Sequence, residues 1–177
     1  KLNMTVCNRS NDMLWGAYGA NVVHMSVLQE YIAHKLEIDV GVYRQVSDSF
    51  HVYLNDVWDK VKHLTLDVYF KHTNNYDALE DFKPFPLFYD NGVLDWELNR
   101  FFHYHPADLI TSNNWESPCM RDIAVPMATA YSFYKSRNFY EALQQCERIV
   151  PVDWKNACLS WLRTREQRHY EQAEKGE

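Results

Sequence analysis

Basic charge is scarce in this sequence. The 18 Lys and Arg are outnumbered by 24 Asp and Glu, for a formal net charge of −6, which argues against a broad electrostatic grip on nucleic acid. A small anionic ligand held by a few local arginines stays open. Long apolar runs are also missing: none approaches the roughly 18 residues of a membrane helix, so no membrane partner is expected. The cysteines, Cys7, Cys119, Cys146 and Cys158, have no CxxC spacing. That argues against a zinc site or disulfide framework and makes the reduced cytoplasm the expected compartment. Glycine is rare too. There are only 5, and Gly16 and Gly19 both fall in one stretch, CNRSNDMLWGAYGAN.

What is present suits a folded domain. The 177 residues are 46% hydrophobic and 15% aromatic, enough for a sizeable core in one domain, or one domain with an appendage. Residues 1–9 alternate, with Leu2, Met4 and Val6 opposite Asn3, Thr5 and Cys7, which predicts a half-buried strand. A glycine-bearing turn follows. Val22, Met25, Leu28, Tyr31 and Ile32 then recur at helical spacing over about 21–35. Residues 38–54 predict two strands or one strongly bent strand, and a helix is expected from Asn55 and Asp56 through Leu64. KPFPLFYDNG reads as a loop, and LDWELNRFF as a short helix closed by His105-Pro106. His103-Tyr104-His105 lacks a spaced carboxylate or cysteine, so no metal site is expected. Beyond about Cys119 only helices are predicted, around 121–136, 138–149 and from Pro151 onward. EQRHYEQAEKGE is expected to be a solvated end. The class is α+β with a C-terminal all-helical appendage.

The side chains around the two glycines carry more than a turn requires. Arg9 and Ser10 at a strand end suit a phosphate monoester, the guanidinium bonding bidentately and the hydroxyl adding a directed donor. Asp12 can orient water or accept from a ligand amine. Asn21 offers a donor and an acceptor, matching an amide-like edge such as that of a pyrimidine. The structural alternative is that Asp12 caps a turn, Arg9 forms a surface ion pair and Asn21 is a helix N-cap. Further on, His51 and Tyr53 are two residues apart. On a strand they share one face about 7 Å apart, able to bond a sugar hydroxyl or simply to face solvent.

Taken in order, NRSxD, a glycine turn leading to Asn21, the helix NVVHMSVLQEYIA and a strand ending HxYLN resemble thymidylate synthase and its pyrimidine hydroxymethylase relatives. The resemblance spans roughly residues 1–65. It implies a thymidylate synthase-like mixed sheet with packed helices over 1–118, followed by the helical appendage 119–177. It further implies one-carbon transfer from 5,10-methylenetetrahydrofolate to C5 of a dUMP-type nucleotide, in a cytoplasmic homodimer. Arg9 and Ser10 would hold the 5′-phosphate and Asn11 would belong to the nucleotide site. Asp12 would lie between nucleotide and folate, and His51 and Tyr53 would bond the ribose 3′-hydroxyl. Asn21 would be the catalytic base-reading residue; the cytosine-acting relatives carry aspartate there. The family's nucleophile is a cysteine in Pro-Cys-His upstream of the arginine, so upstream sequence is expected before Lys1. Pro118-Cys119 shares the dipeptide but is followed by Met120, and Cys119 is expected to be structural. The rival expectation is a catalytically inactive nucleotide-binding or scaffold protein with a helical interaction module.

Overall fold

The computed structural model describes residues 1–55, 85–89, 92–104, 106–109 and 114–175. They fall into two compact units, Lys1–Leu87 and Phe88–Glu177. The expected division between 118 and 119 concerns how far the family-like core extends, which compactness does not measure. The architecture is α+β.

The first unit is a β–α–β arrangement. Strand β1 (Leu2–Asp12) pairs in parallel with β2 (Val40–His51). Parallel strands cannot be joined by a tight turn, so the chain crosses over through a π-helical segment, Met13–Ala20, and helix α1, Asn21–Lys35. The predicted alternation holds along most of β1, with Leu2, Met4, Val6 and Asn8 half-buried and Asn3, Thr5 and Cys7 exposed. It slips at Arg9 and Ser10, both exposed, before Asn11 turns fully inward. β2 is a single strand. The Ser47–Ser49 stretch does not interrupt it, because Asn8 stays opposite Ser47 and Ser10 opposite Ser49.

Helix α1 begins at the expected residue but is rotated from the expected face. Its buried line is Gln29 and Ala33, while Leu28 is 44% exposed. The cause is polar: Gln29 Nε2 donates to the Leu2 carbonyl at 2.7 Å, tying the helix to the start of β1, and small Ala33 permits the approach. The helix closes with Glu37 at φ 55 and Ile38 N–H on the Ala33 carbonyl at 3.0 Å, a left-handed cap that satisfies the last carbonyls. Leu87 N–H donates to Glu30 at 2.5 Å, holding the described end of the unit on α1. The helix expected after Asn55 and the Asp90-Asn91 turn lie outside the described residues.

The second unit is helical: α2 (Leu94–His103), α3 (Pro106–Leu109), a π-helical segment Met120–Ala124, α4 (Val125–Lys135), α5 (Phe139–Glu147) and α6 (Val152–Lys175). In α2, Leu94 and Glu97 are buried. The Glu97 carboxylate accepts from Glu116 N–H at 2.6 Å and Ser117 N–H at 3.0 Å, fixing the turn before Met120. Arg100 lies 4.5 Å from the Trp115 ring and donates to the Asn114 carbonyl at 3.1 Å. Pro126 sits in the first turn of α4, directly after the π-helical segment, and lacks the N–H that would reach the Asp122 carbonyl, which instead accepts from Val150 N–H at 3.1 Å. Asn138 caps α5 by accepting from Glu141 N–H at 3.2 Å. Ala130, Ala142, Cys146, Ile149, Leu159 and Leu162 form the core of the three-helix packing. The predicted solvated end is exposed at most of its described positions and is helical: α6 runs on to Lys175, and the His169 ring lies 5.4 Å from that of Phe139.

Candidate functional site

Parallel pairing brings the carboxyl ends of β1 and β2 together. Ser10 is opposite Ser49, and Asp12 is opposite His51. The residues singled out in the sequence therefore come from one end of the sheet, or from the segment leaving it. Arg9 and Ser10 are exposed there, and among the described residues Arg9 forms no ion pair. The surface ion pair of the structural alternative is thus not found among them. His51 closes β2 and Tyr53 lies just beyond the strand, so they are not partners on a strand face. Their rings nevertheless meet edge to face, with centroids 5.1 Å apart at 85°.

Asp12 does cap the turn, as the structural alternative has it. One carboxylate oxygen, Oδ1, accepts from Leu14 N–H at 3.0 Å and Trp15 N–H at 2.6 Å. The other, Oδ2, is buried with no partner. A buried acceptor left unpaired costs about 1–3 kcal/mol.

Asn21 behaves differently. It is the first residue of α1, the N-cap position belongs to Ala20, and no side chain caps the helix. The Asn21 carboxamide instead reaches back to β1, where Nδ2 donates to Asn11 Oδ1 at 3.0 Å. Asn11 is 1% exposed. Its Nδ2 donates to Gln45 Oε1 at 2.9 Å and to Ser47 Oγ at 3.0 Å. Gln45 Nε2 ends on the Ala17 carbonyl at 3.2 Å. The N-cap explanation of Asn21 is therefore wrong, and its position is set by a buried polar cluster.

That cluster gives the glycines a local reason. A methyl group at Gly16 would collide with Asn11 Oδ1 and come within 3.0 Å of Asn21 Nδ2. Gly19 departs from helical geometry at φ −119, ψ −124, and a side chain there would strike the Leu14 carbonyl. Both close approaches need a residue without Cβ.

Sequence reasoning missed Asn8, Gln45 and Ser47. The signal was present: these polar residues fall at half-buried positions of parallel strands, where apolar residues are the rule. No cluster of three or more potential metal ligands exists among the described residues. His103 Nδ1 lies 2.7 Å from the Asn99 carbonyl, and His105 is outside the described residues.

Comparison with known proteins gives this site its context. A Pseudomonas phage M6 protein named deoxyuridylate hydroxymethyltransferase is 33% identical over 174 residues, covering 93% of this chain and 48% of its own. A Bacillus phage SP01 protein of the same name is 38% identical over 109 residues, covering 58% of this chain and 28% of its own. A putative thymidylate synthase of Methanosarcina mazei is 44% identical over 64 residues, 36% of this chain and 29% of its own. The chain belongs to the thymidylate synthase and pyrimidine hydroxymethylase family. It spans about half the length of the first relative and under a third of the other two. No protein-family profile matches it, and no solved structure matches it significantly. The phage M6 match covers 93% of the chain, so the sequence similarity extends over most of the residues of the helical unit.

Proposed function

We propose that the chain supplies the nucleotide-holding part of a thymidylate synthase-like enzyme that transfers a one-carbon unit to C5 of a deoxyuridylate. The observation that carries this reading is the Asn21 carboxamide. It is pulled out of helix capping and held by a buried partner, with Oδ1 and the second Nδ2 proton left for a ligand edge. Uracil offers N3–H and O4, which an acceptor and a donor side by side can match. Arg9 and Ser10, exposed at the same strand end, suit the 5′-phosphate, and the His51–Tyr53 pair suits the ribose hydroxyl. In this reading Asn11 belongs to the site as the partner of Asn21.

The names of the relatives imply a folate, and one observation of this chain fits such a group. Asp12 Oδ2 is a buried acceptor without a donor, the kind of atom that a pterin N–H would satisfy. When bound, methylenetetrahydrofolate would supply the one-carbon unit at its transferable oxidation level. Asp12 would orient it, and Asn21 would hold the uracil edge while charge develops in the ring. A homodimer is part of the proposal. One face of β2 exposes Val40, Val42, Val46 and Phe50, with charged Arg44 and Asp48 between them, a mixed surface on which a second copy would dock.

The phosphate assignment is tested by calorimetry with dUMP and with deoxyuridine on the full-length protein. Arg9→Ala is expected to weaken dUMP by about 2–5 kcal/mol, the loss of one side of a charge-assisted contact, and to leave deoxyuridine nearly unchanged. Equal losses for both ligands would remove Arg9 from a phosphate site.

A further inference from the structure

Three carboxamides stand in file beneath the start of α1, and the file has a direction. At its far end is the Ala17 carbonyl, which can only accept. Gln45 must therefore turn Nε2 toward Ala17, at 3.2 Å, and Oε1 toward β1. That oxygen takes Asn11 Nδ2 at 2.9 Å and Asn8 Nδ2 at 3.5 Å. Asn11 donates its second proton to Ser47 Oγ at 3.0 Å. With both donors used, Asn11 has only Oδ1 to present, and Asn21 Nδ2 donates to it at 3.0 Å. Each amide is oriented by the one before it.

Direction matters because an isolated carboxamide does not discriminate between pyrimidines. In one orientation it accepts from uracil N3–H and donates to O4. Rotated by 180° it donates to cytosine N3 and accepts from the 4-amino group. We infer that the relay of Asn11 and Gln45, by forbidding that rotation, sets the base preference of the site. Asn11 and Gln45 are thus positioning residues that act through Asn21. A rotated Asn21 would set its oxygen against Asn11 Oδ1, two acceptors face to face. Asn11 is 1% exposed, so water has little room to mend the mismatch. Gly16 packs directly behind this bond. The inference rests on the proposed role of Asn21 in reading the base.

The test is calorimetric titration of the full-length protein with dUMP and with dCMP. Wild type is expected to favour dUMP by at least about tenfold, from the cost of mispairing a buried polar edge. Asn11→Leu removes the acceptor at similar volume and should bring the two affinities within about threefold, chiefly by improving dCMP. Asn11→Asp keeps an acceptor facing Asn21 and should retain the preference. A wild-type ratio in Asn11→Leu would overturn the relay while leaving the role of Asn21 intact. If wild type binds neither nucleotide, or both equally, the proposed function fails and the inference with it. A second measurement needs no variant: side-chain amide NMR of the ligand-free wild type. Distinct, slowly exchanging proton pairs for Asn11 and Gln45 support the directional file; averaged, rapidly exchanging pairs overturn it even if Asn11→Leu does not fold.

Discussion

Asp12 illustrates how one side chain serves structure and leaves capacity for chemistry. Its Oδ1 organises the turn, and its Oδ2 stays buried and unmatched. The glycines bear on the same turn, and they can be separated by experiment. Gly16→Ala drives a methyl group into Asn11 Oδ1, whereas Gly19→Ala strikes only the Leu14 carbonyl. Each substitution is expected to lower stability by about 1–3 kcal/mol, the usual cost of overpacking, measured as a shift in urea midpoint. Only Gly16→Ala should also reduce dUMP affinity in the folded protein, because only it disturbs the Asn11–Asn21 bond. Equal effects on binding from both variants would show that the glycines matter to the turn alone.

Between elements, buried Cys146 and half-buried Cys158 of the helical unit report on the contact of α5 with α6. The hydrogen bond from Cys146 to Cys158, together with burial, pushes the Cys146 thiol well above the ordinary range. Accepting that bond draws the Cys158 thiol down, against the opposing effect of its burial. As pH rises, thiolate therefore forms on Cys158 before Cys146, and thiolate is the reactive species. Alkylation of native protein followed by peptide mass analysis should modify Cys158 ahead of Cys146, with exposed Cys7 reacting independently of both. Cys146→Ala removes the donor and should slow Cys158 at a given mildly alkaline pH. Unchanged Cys158 kinetics in that variant would mean that the thiols do not share a proton.

At the scale of the whole molecule, the chain holds no Pro-Cys-His sequence and spans 48% of the length of its phage M6 relative. The proposed reaction needs a nucleophile at C6 of the pyrimidine, and in the proposed reading none of the cysteines of this chain is that nucleophile. The 177-residue chain is therefore expected to release no tritium from C5-labelled dUMP. Release that survives Cys119→Ser would show the catalytic unit to be misplaced. Release abolished by that substitution would make Cys119 the nucleophile. A full-length protein that binds dUMP without releasing tritium would instead favour the inactive binding protein.

The sequence by itself determined the elements. Alternation at Leu2, Met4 and Val6 marked β1, and helical spacing marked the helix that begins at Asn21. These features were legible because each depends on neighbours a few residues apart. It also carried the polar set from Arg9 to Asn21 and the family resemblance. The tertiary structure decided what local periodicity could not. It turned α1 onto Gln29 and Ala33, because the Leu2 carbonyl needed a donor. It kept β2 a single strand through Ser47–Ser49 by holding it in register with Asn8–Ser10 of β1. Above all, it placed Gln45 and Ser47 on Asn11, the partner of Asn21, across a crossover that no sequence window spans. Hydrogen bonds between residues distant in sequence are satisfied only when the chain has folded, so the Gln45 and Ser47 partners of Asn11 were never written locally.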